Sequence, residues 1–194
     1  MIPKDDFRIV FMGTPDFAVE SLRQLIDHGY NVVGVVTNPD KPAGRGRQLK
    51  EPPVKILAKE KGLTILQPTS LKDESFAREL EVLRPSLQIV VAFKILPERI
   101  FTIPPHGTFN LHASLLPDYR GAAPINWAIY DGEKMTGVTV IHMTPKVDAG
   151  PCIAQANLGV HIDIAAALVG LAADAAAAAG DDGAVQPAAG EVQR

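Results

Sequence analysis

Apolar residues along most of the chain alternate between short continuous runs and stretches with helical spacing. The continuous runs predict strands that are buried on both faces of a sheet, and they lie at residues 7–13, 31–37 and 87–93. Further strands are predicted at residues 63–66, 106–112 and 136–143, and helices at residues 54–61 and 73–83. This repeated strand–helix order predicts an α/β fold with a doubly wound, mostly parallel, Rossmann-like sheet.

The first strand–helix unit carries recognisable start and stop signals. Thr14 is the predicted N-cap of a helix, and Pro15 suits its first turn. Apolar side chains then recur at helical spacing until Gly29, a residue type that commonly follows the last turn. In such sheets ligands bind beyond the carboxyl ends of the strands. Gly13, Thr14, Asn110 and His112 are therefore candidate site positions.

Residues 38–53 interrupt the pattern with four prolines and two glycines, which predict a long exposed loop. A structureless loop of this length inside a compact domain is usually functional. Ten consecutive positions of this loop hold four basic residues: Lys41, Arg45, Arg47 and Lys50. The glycines between them would let the backbone approach a phosphate chain. The alternative is a solvated loop with incidental charge.

The chain changes character near residue 160. We assign residues 1–160 to one domain and residues 161–194 to an alanine-rich tail. Residues 156–163 are compatible with one further strand and turn. A helix over 163–179 is plausible from propensity, and the remainder is expected to be disordered.

Composition limits the classes of protein that remain. The chain is 46% hydrophobic and 21% charged, which is typical of a soluble globular protein, and its net charge of −3 gives no global attraction to nucleic acid. The single cysteine, Cys152, excludes an intrachain disulfide, favours a reducing compartment and makes a zinc site improbable. No signal peptide or membrane-length apolar stretch is evident, so a cytoplasmic location is expected.

The strand predicted at residues 106–112 ends with two polar residues. Asn110 and His112 are two apart, so on a strand they face the same side, where an amide and an imidazole can converge on one carbonyl oxygen. Asp148, close before a glycine, could orient the imidazole or accept a proton directly or through water. Spacing alone leaves other interpretations open, since His112 could be a hydrogen-bonded core histidine and Asp148 an ordinary turn residue.

Longer motifs narrow these choices. The segment NLHASLLPDYRGAAPINWAI, which begins at Asn110, resembles the signature of the 10-formyltetrahydrofolate-dependent formyltransferases, and VDAGP, around Asp148, resembles the family's aspartate motif. FMGTPDFAV (11–19) and NPDKPAGRGRQLKEPPVK (38–55) are more selective. They are similar to the branch of the family that acts on initiator tRNA. The resemblance runs from about residue 7 to residue 155.

The resemblance implies formyl transfer from 10-formyltetrahydrofolate, as co-substrate, to the α-amine of initiator methionyl-tRNA, for translation initiation. It implies that Asn110 and His112 stabilise an oxyanion, while Asp148 keeps His112 suitably protonated and assists proton removal from the amine. It also implies that Arg45 is the key arginine of a loop that enters the acceptor end of the tRNA. The residues that match the family's folate-contacting loop are Ser114, Leu115, Leu116 and Pro117.

No metal, DNA or membrane partner is implied, and a monomer is expected. Family members continue into a C-terminal β-barrel, and we expect this chain to lack it. Two alternatives remain at this point. One is formyl transfer to a small amine, such as an amino sugar or glycinamide ribonucleotide. The other is a non-catalytic remnant that still binds folate or RNA.

Overall fold

The structure is a computed structural model, and it describes residues 7–43 and 48–160. Within these residues the chain forms strands β1 (Ile9–Gly13), β2 (Val32–Val36), β3 (Lys41–Ala43), β4 (Gln48–Lys50), β5 (Ile65–Leu66), β6 (Leu87–Val91), β7 (Thr108–His112), β8 (Met135–His142) and β9 (Cys152–Gly159). The helices are α1 (Asp16–Asp27), α2 (Pro53–Glu60), α3 (Glu74–Val82), α4 (Glu98–Phe101) and α5 (Pro124–Tyr130).

The described residues place seven strands in one sheet, in the order β5-β2-β1-β6-β7-β8-β9. The pairs from β5 to β7 are parallel, whereas β8 and β9 add two antiparallel strands at one edge. Chain order reverses direction across the sheet between β1 and β6, where ligands of such folds bind. The predicted mostly parallel, Rossmann-like sheet is confirmed.

The core forms on both faces of the sheet because β1 alternates its side chains between them. Val10 and Met12 pack on one face, with side chains from α3 and α4. Phe11 packs on the other face, with side chains from α1 and α2. All five β1 residues are buried, which explains why the sequence shows this strand as a continuous apolar run.

The predicted start of the first helix is wrong in detail. Pro15, not Thr14, occupies the N-cap position, and no side chain caps this end of the helix. The Thr14 hydroxyl oxygen instead accepts hydrogen bonds from the Asn38 backbone N–H (3.3 Å) and the Thr37 hydroxyl (3.5 Å). Thr14 therefore joins the carboxyl ends of β1 and β2, a tertiary contact that competes with local capping.

The prediction of a structureless loop over residues 38–53 is wrong at residues 41–43 and 48–50. The short strands β3 and β4 pair antiparallel there, and we call these two strands, residues 41–43 and 48–50, the basic hairpin. Arg45 and Arg47 lie outside the described residues. Strand β9 begins at Cys152, four residues before the segment considered for a further strand. The alanine-rich tail and its predicted helix lie outside the described residues.

No helix in residues 7–43 or 48–160 has the length and apolar character needed to cross a membrane. In the same ranges, no group of three or more histidine, cysteine, aspartate or glutamate side chains is placed to hold a metal ion.

Candidate active site

Strand β7 carries two of the predicted site residues at its carboxyl end. Asn110 lies opposite Val90 of β6 in the parallel register, and His112 lies opposite Thr139 of β8. His112 is buried, with 6% of its surface exposed, whereas Asn110 is partly exposed. A partly exposed asparagine therefore lies two residues from a nearly enclosed imidazole.

The carboxylate of Asp148, which follows β8, meets both side chains. Its Oδ1 accepts a hydrogen bond from Asn110 Nδ2 at 3.4 Å. Its Oδ2 lies 3.6 Å from His112 Nδ1. The Asp148 side chain is only 11% exposed. The structure thus brings the three predicted reacting residues together, and their catalytic roles remain predictions.

Two neighbouring residues of the loop after β7 hold Asp148 in place. The Gly121 backbone N–H donates to Oδ2 at 2.9 Å, and the Arg120 Nε donates to the Asp148 backbone carbonyl at 3.2 Å. Asp148 itself has a φ of 47°, a left-handed conformation in which aspartate and asparagine are tolerated better than most residues. Neither supporting residue is predicted from the sequence, although both follow directly on the LLPDY segment of the signature.

A backbone carbonyl determines which ring nitrogen of His112 carries a hydrogen. The Nε2 atom lies 2.8 Å from the Tyr119 carbonyl oxygen. Because a carbonyl oxygen only accepts, Nε2 must be the donor in this bond. In the neutral ring, Nδ1 is then left with its lone pair facing the Asp148 carboxylate. A proton added at Nδ1 would lie near a carboxylate oxygen, but Nδ1 and Oδ2 are 3.6 Å apart, which is beyond a good hydrogen bond.

The predicted folate-contacting segment, Ser114 to Pro117, is a loop held from beneath by β8. The buried Thr139 hydroxyl donates to the Ser114 carbonyl (2.7 Å) and accepts from the Leu116 backbone N–H (3.0 Å). The Ser114 hydroxyl donates to the Asp118 carbonyl at 2.6 Å. The peptide bond between Leu116 and Pro117 is cis. These bonds hold the loop backbone at defined positions.

Strand β9 supports the same loop. The side-chain amide of Gln155 donates to the Leu116 carbonyl at 2.8 Å and to the Thr139 hydroxyl oxygen at 3.0 Å. Gly137 lies beneath the Leu115 side chain, which occupies the space that a Cβ atom would need. Thr139 and Gln155 are not predicted from the sequence as supports of this loop. A threonine inside the apolar run of β8 was the available signal for the first.

The basic hairpin places Lys41 and Lys50 directly opposite each other on its two strands. Both residues are exposed. The other two predicted contacts to tRNA, Arg45 and Arg47, lie outside the described residues, so only half of that predicted set has a position.

The mostly parallel α/β sheet thus carries an amide, an imidazole and a carboxylate that converge at the carboxyl end of β7. A model of the family described as formyl transferase matches residues 7–173. The chain therefore belongs to the formyl transferase family, which confirms the resemblance found in the sequence.

Two curated relatives named methionyl-tRNA formyltransferase are similar over most of this chain. The protein from Parabacteroides distasonis is 60% identical over 158 residues, and the protein from Bacteroides thetaiotaomicron is 57% identical over 157 residues. Each match covers 81% of this chain and 49% of the relative. The chain thus spans about half the length of these relatives.

A solved structure shows the same fold. Phosphoribosylglycinamide formyltransferase from Bacillus halodurans superposes with a TM-score of 0.65 at 19% identity, covering 86% of this chain and 88% of the other. At this identity the likeness concerns the fold alone.

Proposed function

We propose that this chain transfers a formyl group from 10-formyltetrahydrofolate to the α-amine of methionine on initiator methionyl-tRNA. The observation that carries the proposal is the convergence of Asn110, His112 and Asp148 at the carboxyl edge of β7. The name and high identity of the two bacterial relatives support tRNA as the acceptor.

The reaction begins when the amine nitrogen attacks the formyl carbon, so that a C–N bond forms and the carbonyl oxygen becomes an oxyanion. An α-amine has a pKa of about 7.7–8.0, so a useful fraction is already nucleophilic near neutral pH. Asn110 has a second N–H on the amide nitrogen that bonds Asp148, and this hydrogen is suited to the oxyanion. The barrier is then lowered by orientation and charge stabilisation.

His112 supplies the second donor when Nδ1 is protonated. The distance from Nδ1 to Asp148 is 3.6 Å, longer than a good hydrogen bond, so the Nδ1 hydrogen is not committed to the carboxylate. Catalytic hydrogen bonds are often long in a free enzyme and shorten only in the reacting complex. The Tyr119 carbonyl keeps Nε2 occupied, which leaves Nδ1 as the nitrogen that serves the substrate.

Asp148 completes the proton balance. Its carboxylate accepts a proton from the attacking amine, directly or through water, and also stabilises a positive charge on His112. The tetrahedral intermediate then collapses as the bond from the formyl carbon to N10 of the folate breaks. The departing nitrogen takes up the proton, so the residues return to their starting state.

The loop from Ser114 to Pro117 is the proposed folate contact. Leu115 and Leu116 are half-buried, and side chains of this kind suit one face of a flat ring system. Their backbone is held by Thr139 and Gln155, so the ligand would meet a surface that is already formed. Formyl-tetrahydrofolate-type donors are those that the family uses.

The basic hairpin is the proposed tRNA contact. With a net charge of −3, the chain as a whole does not attract RNA, so binding depends on local positive charge. Lys41 and Lys50 supply that charge in the described part of the hairpin, and Arg45 and Arg47 are proposed to extend it. Such phosphate contacts position the partner without reading its sequence.

The test is to incubate the purified chain with 10-formyltetrahydrofolate and methionyl-tRNA and to follow formyl-methionyl-tRNA. We expect product from the wild type and a large loss of product formation in Asp148→Asn. The control is Asp118→Asn, which makes the same change at an exposed carboxylate on the loop after β7 and should still form product. A parallel reaction with glycinamide ribonucleotide tests the small-amine alternative. Product only with the small amine, or none with either acceptor from a folded chain, would refute the proposal.

A further inference from the structure

Lys55 of α2 binds both ends of the basic hairpin. Its Nζ lies 2.8 and 2.6 Å from the two carboxylate oxygens of Asp40, the residue just before β3. The same Nζ lies 3.0 Å from Glu51 Oε1, just after β4. One ammonium group therefore connects the point where the hairpin leaves the sheet domain with the point where it returns.

This arrangement makes Lys55 unsuitable as a phosphate ligand. Its side chain is only 14% exposed, and two carboxylates already compensate its charge. The hydrogen bond with Asp40 raises the pKa of Lys55, despite an opposing effect of desolvation. The pKa of Asp40 is lowered, first by its hydrogen bond with Gln67 and then by Lys55. Lys55 and Asp40 therefore stay charged and paired over a wide pH range. We call Asp40, Glu51, Lys55 and Lys59 the cluster.

Further contacts tie the cluster to the rest of the fold. Gln67, which follows β5, donates to the Asn38 carbonyl at 2.7 Å and to Asp40 at 2.9 Å. These bonds join the entrance of the hairpin to the edge of the sheet. Lys59, one turn after Lys55, is 55% exposed and, among the residues that the structure describes, bonds only Glu51. The two lysines thus differ, because Lys55 spans both ends and Lys59 touches one.

The charge pattern of the hairpin opposes the pairing of its strands. Lys41 and Lys50 are directly opposite at its base, and like charges across a strand pair destabilise it. The two carboxylates and two lysines of the cluster cancel in charge, so they leave the positive charge of Lys41 and Lys50 intact. The cluster closes the hairpin one residue beyond the repelling pair without neutralising that pair.

We propose that Lys55 is a positioning residue that fixes the basic hairpin against α2 and so determines where Lys41 and Lys50 meet the tRNA backbone. The identity of the partner as tRNA rests on the proposed function, whereas the role of Lys55 in fixing the hairpin concerns this chain alone. Because phosphate contacts set the placement of a nucleic acid, the hairpin's position governs how the methionine amine reaches Asn110 and His112.

The experiment compares Lys55→Met, Lys59→Met and Lys55→Arg in the full chain. Hydrogen exchange of the backbone amides in β3 and β4 reports on the hairpin without any ligand. Steady-state formyl transfer reports the KM for methionyl-tRNA, the KM for the formyl donor, and kcat. We expect Lys55→Met to lose hairpin protection and to raise the KM for methionyl-tRNA about tenfold, with kcat and the donor KM unchanged.

Lys59→Met should remain close to the wild type in both assays, and Lys55→Arg should recover most of the loss because it can still bridge two carboxylates. Unchanged hairpin protection in Lys55→Met would overturn the proposal. Equal losses in Lys55→Met and Lys59→Met, or a parallel rise of the donor KM, would overturn it too. Absence of transfer by the wild type would instead refute the proposed function, and hydrogen exchange would still decide the role of Lys55.

Discussion

The substitution Asp148→Asn separates catalysis from stability at the candidate site. Asparagine tolerates the left-handed backbone of residue 148, where φ is 47°, and it has nearly the same shape. It replaces one carboxylate oxygen with an NH2 group and removes the charge. The effect of the substitution depends on the partners of the two oxygens: Oδ1 accepts from Asn110, and Oδ2 accepts from the Gly121 N–H.

Neither orientation of the new amide satisfies the site. If its NH2 group takes the place of Oδ2, it faces the Gly121 N–H, and a donor opposes a donor. If it faces Asn110, the Asn110 amide must turn its oxygen inward, which withdraws its N–H from the proposed oxyanion position. Gly121 is exposed and can bond water instead, so we expect a stability loss of only about 1 kcal/mol. Losing the oxyanion geometry should lower kcat about 10²–10³-fold.

The assays are denaturant unfolding and formyl transfer to methionyl-tRNA, on Asp148→Asn, Asp148→Ala and wild type. Alanine should cost about 1–2 kcal/mol more than asparagine because it also occupies the left-handed conformation unfavourably. An Asp148→Asn variant with activity within tenfold of the wild type would refute the assignment. A stability loss large enough to unfold the chain in the assay would refute the reasoning on hydrogen bonds.

Three further predictions concern other parts of the site. His112→Ala should lower kcat about 10²–10³-fold while equilibrium binding of the formyl donor persists, and near-normal turnover would exclude His112 from the mechanism. Gly137→Ala should lower the free energy of unfolding by about 1–3 kcal/mol, because the added methyl would meet the Ala156 carbonyl oxygen and the Leu115 side chain; wild-type stability in denaturant would contradict this packing. Burial, with hydrogen bonds to two acidic side chains, raises the pKa of Tyr119 from 10.0 to about 12. The contribution of the neutral Tyr119 hydroxyl to the free energy of unfolding should therefore persist below pH 10 and disappear as the pH rises through 12. An ultraviolet titration of tyrosine ionisation in which Tyr119→Phe still shows the component near pH 12 would contradict this prediction.

The sequence was most informative where one physical requirement acts along a single element. Strands β1, β2 and β6 are buried on both faces, so their apolar runs predict them directly. The two-residue spacing of Asn110 and His112 predicts a shared face, and both side chains indeed approach the same carboxylate. Strand β9 is exposed along its whole length and depends on pairing with β8, so its pattern of polarity reveals little.

Errors arose where a distant contact overrides a local preference. Thr14 has the chemistry of an N-cap but bonds Asn38 instead. The basic hairpin has the composition of a loop, yet its ends are joined by Lys55. Local propensity cannot predict the contacts of Lys55 with Asp40 and Glu51, because these residues become neighbours only after α2 packs beside the sheet.

The sequence by itself determined the class of fold, the formyl transferase resemblance and the three candidate reacting residues, because strand and helix periodicity and short motifs are local properties. Only the tertiary structure decided that Asp148 meets Asn110, 38 residues away in the chain. That meeting requires β8 to return antiparallel beside β7 in one register. Register and packing depend on side chains far apart in sequence, and they are chosen by burial of the whole sheet rather than by any one segment.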